Sequence, residues 1–236
     1  MQAADLTRLW GGNALEKTDV RIFFEKKGRA VYISHLDLLR TMQRALKRSG
    51  LPVWYTEGFN PRIYLNFPLA LSLGAQGERE PMDLCITEDI SMEELAARLD
   101  AVMPEGLRII SAAAPVFHNK DIGFAEYTAV YRGSLEDISG AINDFMAQDA
   151  VEVRKHSKKK GMITVDIKPH ITVKNVYEGS GGICVDFRLP AGNELNLNAA
   201  LFTDAFAEFS GKKEIFCELL CTKRTNIFCR TGEVFA

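Results

Sequence analysis

The sequence lacks a long hydrophobic run. Its longest apolar stretch, residues 67–73, is far shorter than the roughly 20 residues that a membrane-spanning helix needs. Its first residues have neither the basic start nor the apolar core of a secretory signal. We therefore expect a cytoplasmic protein that does not associate with membranes.

The sequence also lacks the usual motifs of cofactor and metal chemistry. It contains no GxxxxGK[ST], no GxGxxG and no HExxH. Its five cysteines form no CxxC pair, and the spacing of Cys217 and Cys221 is a weak zinc signal without a second pair of ligands. The sequence therefore predicts no metal site and no cofactor of its own.

The composition is that of a globular protein. Hydrophobic residues make up 47% and charged residues 25% of the 236 residues. This length fits two domains of roughly 100 to 120 residues. We predict a flexible tail over residues 1–18, a first domain over 19–116 and a second over 117–236.

Each half shows strand and helix patterns in the order β-α-β-β-α-β. In the first half, Ser34 and Ser91 are predicted to cap the two helices, and Val20–Phe24 and Leu51–Tyr55 are predicted strands. The second half repeats the order with an extra strand. This order is typical of a split βαβ unit. The sequence thus predicts an α+β fold of two tandem ferredoxin-like domains with antiparallel sheets.

Basic residues form a stripe on the first helix. They recur at i, i+4, i+7 and i+8 on the face away from its leucines, as Arg40, Arg44, Lys47 and Arg48. The net charge of −2 hides this segregation, and a second basic region lies at residues 154–174. Basic surfaces attract phosphates. Two interpretations stay open, a solvated helix face and an RNA-binding surface that includes Arg62.

A turn-rich loop follows, with the sequence Glu57-Gly58-Phe59-Asn60-Pro61-Arg62. A loop with glycine and proline fixes the direction of its polar side chains. We interpret Glu57, Phe59 and Asn60 as contacts to a substrate or partner, although turn formation also explains Asn60.

His35 and Asp37 are the candidate catalytic residues. A histidine titrates near neutral pH and suits acid–base chemistry. Residues two apart on a helix do not face each other, so no direct His35–Asp37 couple is expected. Capping of the helix by Ser34 and Asp37 is the competing explanation.

Four segments together resemble the radical SAM-linked family of unknown function: residues 32–40 (YISHLDLLR), 57–62 (EGFNPR), 67–69 (FPL) and 77–83 (GEREPMD). The resemblance is clearest over residues 20–115 and looser over 165–169 and 222–225. Family members occur fused to, or encoded beside, cobalamin-binding radical SAM proteins, often near genes for ribosomal proteins and a ribonuclease. The resemblance implies an accessory role in RNA metabolism. Because this chain has no CxxxCxxC, any radical chemistry belongs to a partner protein.

Three functions are consistent with these features. The first is a non-catalytic module that binds RNA or another substrate for a radical SAM enzyme. The second is a metal-free RNA-processing enzyme, with His35 as the general base of an endonuclease or Asp37 as the nucleophile of a pseudouridine synthase. That analogy is one of fold. The third is an assembly protein whose basic surfaces dock acidic partners.

Overall fold

The computed structural model describes residues 17–157 and 161–236. The predicted N-terminal tail lies outside these ranges except for residues 17 and 18. Lys158, Lys159 and Lys160 of the second basic region also lie outside them. Among the described residues, no helix is both long and apolar enough to cross a membrane.

Strands and helices alternate along both halves. The first half contains β1 (Thr18–Lys26), α1 (His35–Ser49), β2 (Leu65–Asn66), β3 (Gln76–Ile86), α2 (Met92–Asp100) and β4 (Leu107–Ala113). The second half contains β5 (Ile122–Arg132), α3 (Leu135–Ala147), β6 (Glu152–Ser157), β7 (Gly161–Asp166), β8 (Thr172–Gly179), β9 (Gly182–Pro190), α4 (Ala199–Lys212) and β10 (Glu218–Cys229).

The two halves share one eight-stranded sheet. Its order is β4-β1-β3-β10-β5-β9-β8, with β2 beside β3. All neighbours are antiparallel except β3 and β10, which pair in parallel at Gly77 and Arg224. A mixed fold with a large, mostly antiparallel sheet is therefore confirmed. The joining of the halves into one sheet was not predicted, and the additional strands β6 and β7 form a separate two-stranded sheet.

Side-chain caps set the starts of three helices, including the two caps predicted at Ser34 and Ser91. The hydroxyls of Ser34, Ser91 and Ser134 each accept a hydrogen bond from the backbone N–H three residues later, at 3.0 to 3.1 Å. These bonds satisfy donors that the first helical turn leaves free. Helix α1 ends at Gly50, whose φ of 64° is the left-handed conformation that glycine adopts readily.

The predicted strand at Leu51–Tyr55 is wrong in extent. Only isolated bridges occur there, between Val53 and Ile86 and between Tyr55 and Ile63. The strand beside β3 is instead the two-residue β2. Prolines at positions 52, 61 and 68 remove backbone donors on both sides of these bridges, which keeps the ladder short.

Each half has its own hydrophobic cluster between helices and sheet. In the first, α1 and α2 pack on β1 and β3 through Ile22, Met42, Leu46, Met82, Leu95 and Leu99. In the second, α3 and α4 pack on β5 and β9 through Tyr131, Ile138, Phe145, Val185, Phe202 and Phe206. The buried side of α1 includes Leu38, whereas Leu36 is 54% exposed.

The opposite face of the first half is covered by chain segments. Side chains alternate along a strand, so Arg21 points away from α1 and α2. Its guanidinium donates to the carbonyl oxygens of Phe117, at 3.0 Å, and Ala236, at 2.7 Å. The segment between the halves and the C-terminus are thereby held against this face of the sheet.

Candidate functional site

The residues of the predicted basic stripe are exposed on α1, and two of them line a groove. Arg44 and Arg48 line it together with Arg29, and its volume is about 370 Å³. Pro104, Glu105 and Leu107 also line it, and Glu105 is the one acidic side chain in the lining. We call this space the basic groove. Three guanidinium groups against one carboxylate make it an electropositive surface.

The stripe residues differ in what holds them. Arg48 donates to the carbonyl oxygen of Val102 at 2.9 Å, which fixes one edge of its guanidinium at the groove. Arg40 pairs instead with Asp37 at 3.2 Å, at the start of the helix. The structure therefore places Arg44 and Arg48 in the groove, while Arg40 and Lys47 lie on the exposed helix surface beside it.

The predicted contact loop is fixed at its base and exposed at its tip. The N–H of Thr56 donates to the carbonyl of Arg62 at 2.8 Å, and the N–H of Arg62 donates to the Thr56 hydroxyl at 3.1 Å. Gln43 of α1 donates to the carbonyl of Ile63 at 3.4 Å, so the loop base lies beside α1. The side chains of residues 57–62 are exposed, and the ring of Phe59 is completely so.

His35 and Asp37 do not form a pair. Asp37 accepts a hydrogen bond from the Ser34 hydroxyl at 2.8 Å and binds Arg40, and these two partners lower the pKa of Asp37 below its ordinary value. The imidazole of His35 lies edge-on to the ring of Phe67, with centroids 5.2 Å apart. Asp37 is thus engaged as part of the helix cap, and His35 lies exposed on the surface.

A second concave site lies outside the residues that were predicted to be functional. A cleft of about 610 Å³ opens between strands β1 and β3 and the segment 115–120 that joins the halves. We call it the linker cleft. Polar side chains dominate the strand side of its lining: Asp19, Arg21 and Asp83, with Tyr64 and Asn66 next to them.

The polar groups of the linker cleft are coupled. Arg21 binds both carboxylate oxygens of Asp83, at 2.7 and 2.9 Å, and the Cys85 thiol donates to Asp19 at 3.0 Å. Burial, and then the contact with Asp19, raise the pKa of Cys85 to about 12. Burial also raises the pKa of Tyr64, and the nearby Cys85, Asp83 and Asp19 raise it further.

Asp19 and Arg21 are two residues apart in β1 and so lie on one face of the strand. This alternation could have indicated a polar site on that face. The pairing of β1 with β3 and the return of residues 115–120 are long-range features that no local pattern reveals. Within the described ranges, no group of three or more His, Cys, Asp or Glu side chains is arranged to bind a metal ion.

Comparison with protein families identifies one match. Residues 19–199 match the model of the family described as "Uncharacterized protein conserved in bacteria (DUF2344)". The chain belongs to this family. The matched DUF2344 region contains both α1 with its basic groove and the strands of the linker cleft, and the family description names no activity.

Comparison with other proteins adds little to the DUF2344 assignment. No curated protein matches the chain. Among solved structures, the chain is similar to "Crystal Structure of an Unknown Protein from Galdieria sulphuraria", with 13% identity and a TM-score of 0.26. That alignment covers 86% of this chain and 98% of the other.

Proposed function

We propose that this protein is a non-catalytic binding module that holds RNA for a partner enzyme. The observation that carries the proposal is the basic groove, in which Arg29, Arg44 and Arg48 line one cavity. A guanidinium presents a planar set of donors that binds phosphate oxygens in pairs. Three of them in one groove suit a phosphate backbone better than a single small anion.

The loop beside α1 extends the proposed contact face. A nucleobase stacks readily on an exposed aromatic ring, and such stacking does not depend on sequence. Phe59 offers such a ring at the tip of a loop whose base is fixed by the Thr56–Arg62 hydrogen bonds. The groove would hold phosphates while Phe59 contacts a base.

The proposed partner is a radical SAM protein. The support is the sequence resemblance, together with the lack of a CxxxCxxC motif in this chain. In this proposal the partner carries the cluster and the chemistry, and this chain supplies RNA-binding surface.

The proposal includes a ferredoxin-like origin for each half. In the first half the fourth strand lies beside the first, followed by the third and the second, as β4-β1-β3-β2. The second half has the corresponding order β10-β5-β9-β8 when the β6–β7 hairpin is treated as an insertion. These orders support two split βαβ units fused through β3 and β10.

A charge-matched experiment tests the RNA contact. The variant Arg40→Gln/Arg44→Gln/Arg48→Gln should bind single-stranded RNA more weakly, with a shallower dependence of affinity on salt, because each lost phosphate contact lowers that slope by about 0.7. The control Arg132→Gln/Lys212→Gln/Lys213→Gln removes the same charge from exposed positions in the second half. Equal affinities and salt slopes for the two folded variants would refute the phosphate role.

The same preparation separates a binding module from an enzyme. Cleavage or isomerisation of RNA by the purified protein alone would favour the RNA-processing alternative and make the exposed His35 the first residue to replace. Turnover only after addition of a radical SAM protein would support the accessory role.

A further inference from the structure

We propose that the linker cleft is a nucleobase-binding site that selects bases with an exocyclic amino group. The site is separate from the basic groove and rests on the proposed function only for its RNA context. Its volume of about 610 Å³ lies in the range of small-molecule pockets and accommodates a nucleoside.

The charges of the cleft favour a neutral ligand. Asp19 and Asp83 contribute two negative charges, and Arg21 and Lys120 contribute two positive charges. Asp83 and Arg21 are already paired with each other. The cleft therefore offers hydrogen-bonding groups without a large net charge, which suits a base better than a phosphate.

Asp19 supplies the selective acceptor. Its Oδ1 accepts a hydrogen bond from the Cys85 thiol at 3.0 Å, and its side chain is exposed and forms no salt bridge within the described ranges, so Oδ2 is available to a ligand. A carboxylate accepts hydrogen bonds from the amino group of a base such as cytosine. It repels the carbonyl oxygen that uracil has at the same position.

Amide and aromatic side chains complete the fit. Asn66 and Asn119 line the cleft and each offers a donor and an acceptor to a base edge. Tyr64 and Phe117 provide flat apolar surface, and Phe117 is itself held by stacking on Phe235 with centroids 6.5 Å apart. Arg21 also fixes the Phe117 backbone, so the cleft wall is preorganised.

Nucleosides without phosphate isolate this site from the basic groove. We suggest titrating the full chain with cytidine and uridine, which differ at the amino position, and following Trp54 fluorescence in a Trp10→Phe background. Trp54 contacts Tyr64 at a centroid distance of 5.8 Å and so reports on the cleft. Calorimetry provides an independent Kd.

Cytidine should bind about tenfold more tightly than uridine, and Asp19→Asn should abolish that preference. The control Asp89→Asn changes an exposed carboxylate outside the cleft and should keep it. Absence of cytidine binding at millimolar concentration, or an unchanged preference in folded Asp19→Asn, would overturn the proposal. The triple arginine variant of α1 should bind cytidine normally, so failure of the RNA-phosphate proposal and failure of this one are distinguishable.

Discussion

A buried ion pair joins the two halves at the single parallel pairing of the sheet. Arg224 of β10 and Glu80 of β3 are each 3% exposed. The Arg224 Nε donates to Glu80 at 2.9 Å, and its Nη atoms donate to the carbonyls of Leu69, at 2.8 Å, and Ala70, at 3.2 Å. Burial alone lowers the pKa of Arg224, but attraction to Glu80 outweighs it and keeps the guanidinium charged.

Replacing Arg224 with methionine should destabilise the protein strongly. The substitution keeps most of the side-chain volume but leaves the Glu80 carboxylate and two backbone carbonyls buried without their donor. Breaking a buried pair in this way costs about 3 to 5 kcal/mol. Lys26 lies close enough to interact with Glu80 and compensates in part, so we expect a loss near 3 kcal/mol.

Urea unfolding of the wild type and three variants measures this cost. The double variant Arg224→Met/Glu80→Leu should be more stable than Arg224→Met, because the Glu80 carboxylate is no longer buried without its guanidinium partner, while Lys26 keeps its hydrogen bond to the Val31 carbonyl. Arg132→Met breaks the exposed Arg132–Glu218 pair, which is 2.7 Å long and likewise joins two strands, and should cost less than about 1 kcal/mol. A loss below about 1 kcal/mol for Arg224→Met, or a double variant no more stable than the single, would refute the reasoning.

Two further predictions concern single side chains of the second half. The Tyr131 hydroxyl is buried and has no hydrogen-bond partner among the described residues, so Tyr131→Phe should leave the unfolding free energy unchanged or raise it by about 1 kcal/mol, measured by thermal and urea unfolding. Burial raises the pKa of Glu126, but Lys174 and Arg188 outweigh it and the pKa is lowered overall. The ionised carboxylate therefore stabilises the protein fully above the unfolded pKa of about 4.3, and this stabilisation is lost as the pH falls through the lower folded pKa. The difference in unfolding free energy between wild type and Glu126→Gln should stay constant near neutral pH and become smaller below about pH 4.3.

Short-range sequence patterns predicted the helices, but they could not predict contacts between residues far apart in the chain. Ser34, Asp37 and Gly50 act through contacts within four residues, so the bounds of α1 could be predicted from the sequence. The charged positions Glu80 and Arg224 resembled surface residues, since such side chains are seldom fully buried without a partner. Each finds its partner 144 residues away, a distance over which periodicity carries no information.

For the same reason, the basic groove could be predicted from the sequence and the linker cleft could not. The basic groove gathers Arg44 and Arg48 from one helix, so a single helical pattern contains most of its charge. The linker cleft needs β1, β3 and the segment around Phe117 at once.

Arg21 holds together the elements that form the linker cleft. It is 1% exposed and satisfies a carboxylate on β3, a carbonyl of the joining segment and the carbonyl of Ala236 together. A buried guanidinium tolerates no movement that would leave its donors unpaired. The wall that carries Phe117 and Asn119 is therefore held by the folding of the first half of the sheet. The Arg21 contact to Ala236 holds a segment of the second half against the same face, so the cleft depends on both halves of the chain.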